Sequence, residues 1–218
     1  MTDHDVVGPI NRCEVCGSET LNEVLDLGLH PLCDDLISVG QQDQCKEFPI
    51  EVMFCRNCNT AHQKYQVVKT TLFPQSYHYR SRFTADVLSG MASLVDSAER
   101  RLGSLQGKTI VDVGCNDGSL LDQFSSKGAI TIGVEPTDAY AEAEGRGHVV
   151  INEFFSELTT QKILDAHPVI DIITFTNVFA HIEDLQGLLE ALTPLIGDGT
   201  ILLVENHYLG SVLEGNQF

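Results

Sequence analysis

The apolar positions of this chain change period along its length. Over FTADVLSGMASLVDSAERRL, residues 83–102, apolar side chains recur at Val87, Met91, Leu94, Val95, Ala98 and Leu102, the spacing of one helix face, and Gly103 and Gly107 close it. From residue 109 strand-like and helix-like runs alternate. TIVDVG (109–114), AITIGVE (129–135), HVVI (148–151), VIDIITFTN (169–177) and GTILLVE (199–205) read as strands. SLLDQFSSKG (119–128), TDAYAEAEGRG (137–147, with Thr137 as its N-cap), SELTTQKILDAH (156–167) and IEDLQGLLEALTPLI (182–196, tolerating a late Pro194) read as helices. This alternation predicts an α/β fold with a doubly wound parallel sheet. Residues 1–75 are irregular in pattern, with short β-like runs such as PIEVMF (49–54). The expected organisation is therefore a small module over 1–75, a linking helix and lid over 76–107, and a Rossmann-like domain over 108–218. Its fifth strand would be an exposed edge unless something covers it, so the chain is expected to be a piece of a longer protein.

Composition narrows the class. The 218 residues are 43% hydrophobic with a mean hydropathy of +0.00, an ordinary globular balance. Thirteen Lys and Arg stand against 31 Asp and Glu, a formal charge of -18, which repels phosphate backbones and argues against nucleic-acid binding. No apolar run approaches the ~20 residues of a membrane span. The start, MTDHDVVGPINRC, has no apolar signal core. The expectation is a cytoplasmic protein with no membrane or nucleic-acid partner; its oligomeric state is left open.

The seven cysteines make a disulfide framework improbable without a secretion signal. Four form two pairs, Cys13–Cys16 and Cys55–Cys58, each C-x2-C, separated by the 38 residues 17–54. Two such turns can aim four thiolates at one tetrahedral ion with no open position, which points to a structural Zn²⁺ that adds folding energy to a region with little core. A redox C-x2-C would need one pair at a βαβ start. Cys33, Cys45 and Cys115 read as small buried apolar side chains, and His62 as a weak substitute ligand.

The loop Asp112-Val113-Gly114-Cys115-Asn116-Asp117-Gly118 follows the first strand of the alternating region. It is D-x-G-x-x-x-G, not the G-x-G-x-x-G of a dinucleotide site: Asn116 replaces the glycine that lets a pyrophosphate approach, and no P-loop lysine follows. Asp112 before the first glycine suits a cofactor with an ammonium or sulfonium centre, as in S-adenosylmethionine. Glu135, 17 residues past Gly118 at the end of the next strand, can accept ribose hydroxyls.

The glycine loop, Glu135-Pro136 and the stretch TFTNVFAHIED (174–184) resemble class I S-adenosylmethionine-dependent methyltransferases. The cysteine module and LFPQSYHYRSRFT (72–84) resemble, more narrowly, the sugar C-methyltransferases of deoxysugar biosynthesis, which methylate C3 of nucleotide-linked 4-keto-hexoses. The resemblance covers nearly the whole chain. It implies that Cys13, Cys16, Cys55 and Cys58 hold zinc, that Gly114, Asn116 and Gly118 surround the methionine moiety, and that Glu135 binds the ribose. It also implies that Asn152 and Phe154 contact adenine, that Asn177 lies beside the cofactor, and that Tyr77, Tyr79 and His181 face the methyl group or the sugar. In that chemistry a base removes the C3 proton, and the enolate takes the methyl group. His181 would polarise the C4 oxygen or shuttle a proton, and the tyrosines would orient substrate or line the methyl channel. The family's Tyr-His-Glu-His base motif and second domain would follow LEGNQF, after Phe218. Glu205 and His207 are local substitutes for that base. The chain is thus expected to bind S-adenosylmethionine yet methylate little sugar. Alternatives are a non-catalytic zinc- and S-adenosylmethionine-binding remnant and a methyltransferase of another small-molecule acceptor.

Overall fold

A computed structural model describes residues 6–33, 35–40 and 45–215. The end of the LEGNQF stretch, residues 216–218, and the first five residues lie outside them. The chain forms two compact units, Met1–Tyr79 and Arg80–Phe218.

The N-terminal unit is more regular than its sequence pattern suggests. β1 (Val6–Val7) pairs antiparallel with β5 (Gln66–Val67), and β2 (Leu21–Pro31), β3 (Glu47–Cys55) and β4 (Thr60–Gln63) form an antiparallel meander. A short helix, α1 (Lys69–Leu72), follows. The long β2 escapes sequence reading because most of its residues are exposed, so no buried alternation marks it. Its register slips twice, between Glu23 and Leu25 and between Asp26 and Leu29, and such irregularities scramble the two-residue period. Two cysteines correct the sequence expectation: Cys33 is exposed, and Cys45 is half-buried, its thiol donating to the Asp35 carbonyl at 3.0 Å. Both belong to the β2–β3 connection, outside any core. Cys115 is buried as expected.

In the second unit, α2 (Ala85–Leu102) ends on Gly103 at φ +79°. The alternating region follows as β6 (Thr109–Val113), α3 (Ser119–Ser126), β7 (Ile130–Val134), α4 (Tyr140–Gly145), β8 (Val149–Ile151), α5 (Glu157–Ala166), β9 (Ile172–Thr176), α6 (Leu185–Leu192), β10 (Ile201–Glu205) and α7 (Leu209–Glu214). The sheet is parallel throughout, in the order β10-β9-β6-β7-β8. Every residue of β6 is buried, as a central parallel strand requires. Alternate side chains feed two cores. Val111, Val113, Ile173 and Phe175 pack with Ile163 of α5 and Leu188 of α6. Ile110 and Ile172 pack on the other face with Met91 and Val95 of α2 and Leu120 and Phe124 of α3.

Some ends differ from the sequence reading. Thr137 is not the cap of α4: the helix starts at Tyr140, because the Thr137 hydroxyl is drawn to Glu135 Oε1. The run over 182–196 divides, with an α-helix to Leu192 and then a 3-10 turn, Thr193–Leu195, that contains Pro194. A proline there lacks the N–H that an α-helix interior needs. Ser156 caps α5 in a reciprocal box with Thr159. Among the described residues β10 pairs only with β9, and Leu202 and Val204 are exposed.

Candidate functional site

In a doubly wound sheet, ligands collect at the carboxyl ends of strands where the strand order reverses. Here that point lies between β6 and β9, which run side by side while β7 and β10 lie outside them. The glycine loop leaves β6 at this point. Gly114 and Gly118 take φ +74° and +80°, and Asn116 takes φ 50°. This left-handed region costs an ordinary L-residue about 1–2 kcal/mol but suits glycine and tolerates asparagine. A Cβ at Gly114 would lie 2.4 Å from Val178 Cγ2, and one at Gly118 2.8 Å from Ala143 Cβ. The glycines are therefore demanded by the protein's own packing as well as by backbone conformation.

The loop is braced from two directions. The Glu135 carboxylate, 5% exposed, accepts the Asn116 N–H at 2.9 Å through Oε2, and the Thr137 N–H (2.9 Å) and hydroxyl (2.5 Å) through Oε1. Among the described residues, protein donors thus take three of its four acceptor directions and leave one on Oε2 open. On the other side, Asn116 Oδ1 accepts the Ser81 N–H at 3.0 Å. The fully buried Asp117 accepts the Arg82 N–H (3.0 Å), the Ser119 hydroxyl (2.6 Å) and the Ser119 N–H (3.2 Å). Burial opposes ionisation of Asp117, but these donors outweigh it and hold its pKa below the usual carboxylate value. Arg80 and Arg82 both pair with Glu142 of α4. The segment before α2 is thereby strapped to the glycine loop. Sequence reading missed Asp117, Ser81 and Arg82; an acid beside a glycine-rich turn, with two arginines upstream, was the available signal.

Asp112 turns into the sheet, where Thr174 Oγ1 donates to its Oδ1 at 2.6 Å. Burial, helped by the Glu135 charge and opposed by the Thr174 hydrogen bond, raises its pKa from 3.8 to about 7. Asn152 Nδ2 donates to the carbonyls of Glu135 (2.8 Å) and Thr137 (3.3 Å), so its amide staples the loop after β7. Phe154 is half-buried; the neighbouring Phe155 sits edge-on to Phe175, with ring centroids 6.3 Å apart. Asn177, at φ 55° and exposed, donates its N–H to the Glu205 carbonyl at 2.7 Å. His181 ends the 3-10 turn Phe179–His181, and desolvation together with the charge of nearby His207 lowers its pKa. Tyr77 and Tyr79 belong to the N-terminal unit, where Tyr77 meets Phe73 edge-on at 5.5 Å between centroids and Tyr79 is exposed. A cavity of about 330 Å³ lined by Pro168–Asp171 and Pro194–Thr200 sits at the amino ends of β9 and β10, the end away from the loop.

The four-cysteine cluster forms because the β2–β3 register pairs Leu21 with Cys55. That brings the turn carrying Cys13 and Cys16 onto the turn carrying Cys55 and Cys58. The four sulfurs lie within 4.8 Å of one another, with Cys13–Cys58 at 3.5 Å and Cys16–Cys55 at 3.6 Å. A tetrahedron of Zn–S bonds would set these separations near ~3.8 Å, so the donor set fits zinc. The Asn57 amide, 3.3 Å from Cys16 Sγ, lowers that thiol to about 6, while burial raises Cys13 to about 11. Four cysteines make up the cluster without His62, which lies buried beside it with Nε2 3.2 Å from Cys13 Sγ and Nδ1 3.6 Å from Glu14.

A methyl donor with a cationic centre also fits its proposed position. The buried Glu135 carboxylate flanks the loop, and among the described residues the Thr176 hydroxyl at the end of β9 is buried with no hydrogen-bond partner.

The fold and loop are those of a class I methyltransferase, and comparison with known families agrees. Residues 78–215 match the family described as "Methyltransferase domain", and the chain belongs to it; residues 13–73 match the family described as "Putative zinc binding domain". The chain is 30% identical, over 98% of its length, to the C-methyltransferase NovU of Streptomyces niveus, of which it covers 51%. It is 26% identical, over 56% of its length, to a ubiquinone biosynthesis O-methyltransferase of Alkalilimnicola ehrlichii, of which it covers 48%. The chain thus spans about half the length of these curated relatives. Among solved structures it is similar to the plantazolicin methyltransferase BpumL in complex with SAH, at 21% identity and a TM-score of 0.49, over 62% of this chain and 52% of that one.

Proposed function

We propose that this chain is the zinc module and methyl-donor domain of an S-adenosylmethionine-dependent C-methyltransferase whose acceptor is a nucleotide-linked 4-keto-deoxysugar. The observation that carries the reading is the similarity to a protein named as a C-methyltransferase over 98% of this chain, cysteine module included. The ubiquinone-pathway O-methyltransferase matches only 56%.

In this reading Gly114, Asn116 and Gly118 receive the methionine moiety, Glu135 the ribose, and Asn152 and Phe154 the adenine side. When bound, S-adenosylmethionine supplies an electrophilic methyl group on a sulfonium. The protein's main task is alignment, since the methyl group is already reactive. C3 of the sugar would lose its proton to a base and its charge would spread to the C4 oxygen; the new C–C bond would form as the methyl–sulfur bond breaks, the donor leaving as the neutral thioether S-adenosylhomocysteine. His181, its pKa lowered, stays neutral near pH 7 and can donate a hydrogen bond to the C4 oxygen or shuttle the proton. Tyr77 and Tyr79 orient the sugar. The zinc is structural, because four thiolates fill its coordination.

Calorimetric titration of S-adenosylmethionine into the metal-quantified chain, with NAD as control, tests the donor assignment. Binding of S-adenosylmethionine alone with one zinc per chain is expected; NAD binding, or no binding by folded protein, overturns it. Labelled methyl transfer to a nucleotide-linked 4-ketohexose, compared with a phenolic acceptor, tests the acceptor class in the longest available form of the protein.

A further inference from the structure

Thr176 ends β9 and is the only described residue with a buried side-chain polar atom that lacks a hydrogen-bond partner. A buried hydroxyl without a partner has lost its water and gained nothing in return, and native proteins keep few of them.

The register locates it. Asp112 pairs with Thr174 and Val113 with Phe175, so Thr176 is the next position on β9, level with Gly114, the first glycine of the loop. Side chains alternate along a strand, so Thr176 and Thr174 project from the same sheet face. Thr174 reaches Asp112 on that face. A polar column, Asp112–Thr174–Thr176, therefore runs through an otherwise apolar face to the carboxyl end of the sheet. Its first two members satisfy each other, and the last, beside the loop, does not.

We propose that the Thr176 hydroxyl is a binding contact for the amino-acid end of the methyl donor, completed only when that ligand is present. This rests on reading the loop as the S-adenosylmethionine site, whose methionine moiety is assigned to Gly114 and its neighbours. A hydroxyl suits either group of that end: it can accept from the ammonium or donate to the carboxylate.

The test is calorimetry and thermal melting of Thr176→Val and Thr176→Ser, with S-adenosylmethionine and with 5′-methylthioadenosine, which lacks the amino-acid end. Thr176→Val is expected to bind S-adenosylmethionine about tenfold more weakly, the loss of a hydrogen bond to a charged group. It should bind 5′-methylthioadenosine as wild type does, and melt at or above the wild-type temperature without ligand. Thr176→Ser should restore binding. This pairing of weaker binding with undiminished stability is not what a purely structural residue produces. Unchanged S-adenosylmethionine binding by Thr176→Val overturns the assignment, as does a marked fall in its ligand-free melting temperature, which would reveal a protein partner. Failure of the folded wild-type chain to bind S-adenosylmethionine overturns the methyl-donor reading itself and this contact with it.

Discussion

The Glu135 carboxylate accepts the backbone N–H of Asn116 at 2.9 Å and so ties the end of β7 to the crest of the glycine loop. The residue read as the ribose acid is thereby also the brace of the loop that follows β6. Glu135→Ala would strand three donors, the N–H groups of Asn116 and Thr137 and the Thr137 hydroxyl. It is expected to cost about 2–4 kcal/mol in denaturant unfolding, with Glu135→Gln costing less because an amide oxygen still accepts. An unchanged midpoint for Glu135→Ala would mean that the loop holds its shape without the brace.

Asp112 gives a pH signature. Its folded pKa, about 7, lies above its ordinary value of 3.8. The folded state therefore holds a proton that the unfolded state releases, and this contribution to stability is complete below pH 3.8 and is lost as pH rises toward 7. Stability of the wild type relative to Asp112→Asn should fall across that window, as followed by urea unfolding at a series of pH values. A constant difference would show that Asp112 ionises normally.

Asp117 holds the strap. Replacing it with alanine removes the acceptor for the Arg82 N–H and the Ser119 donors, a loss of about 2–3 kcal/mol. The change should appear locally as faster amide hydrogen exchange at Arg82, whose N–H is bonded to Asp117. Equal exchange in the variant and the wild type would sever the loop from the segment before α2.

Metal removal should act on the N-terminal unit. Chelation or Cys55→Ser is expected to abolish cooperative melting of residues 6–79 while the α/β unit melts as before. His62→Ala, which removes the ring beside Cys13, should weaken zinc binding by about 10–100-fold, as loss of an outer-shell partner does. Competition with a chromophoric chelator measures this, and an unchanged melting profile without metal would contradict the structural role.

Much of this protein is legible from residue order alone. The alternating parallel strands, α2 and the glycine loop follow from local periodicity, because a buried strand of Ile, Val and Phe and an amphipathic helix each announce themselves within a dozen residues. The paired C-x2-C turns likewise declare a four-thiolate centre, since each turn is a local object. What local pattern does not carry is pairing across distance. The β2–β3 register that brings Leu21 beside Cys55, and with it the two turns together, belongs to the meander and is hidden by β2's exposed side chains. Thr137 reads as a helix cap, and only the fold shows its hydroxyl drawn to Glu135. The links of Asn116 and Asp117 to Ser81 and Arg82 join residues 35 apart in sequence. The unmet hydroxyl of Thr176 emerges only once β9 lies beside β6. Sequence by itself determined the elements and the chemical types of the site. Tertiary structure decided which acids are buried, which donors they satisfy and which polar group is left for a ligand, because burial and hydrogen-bond partnership are properties of neighbours in space.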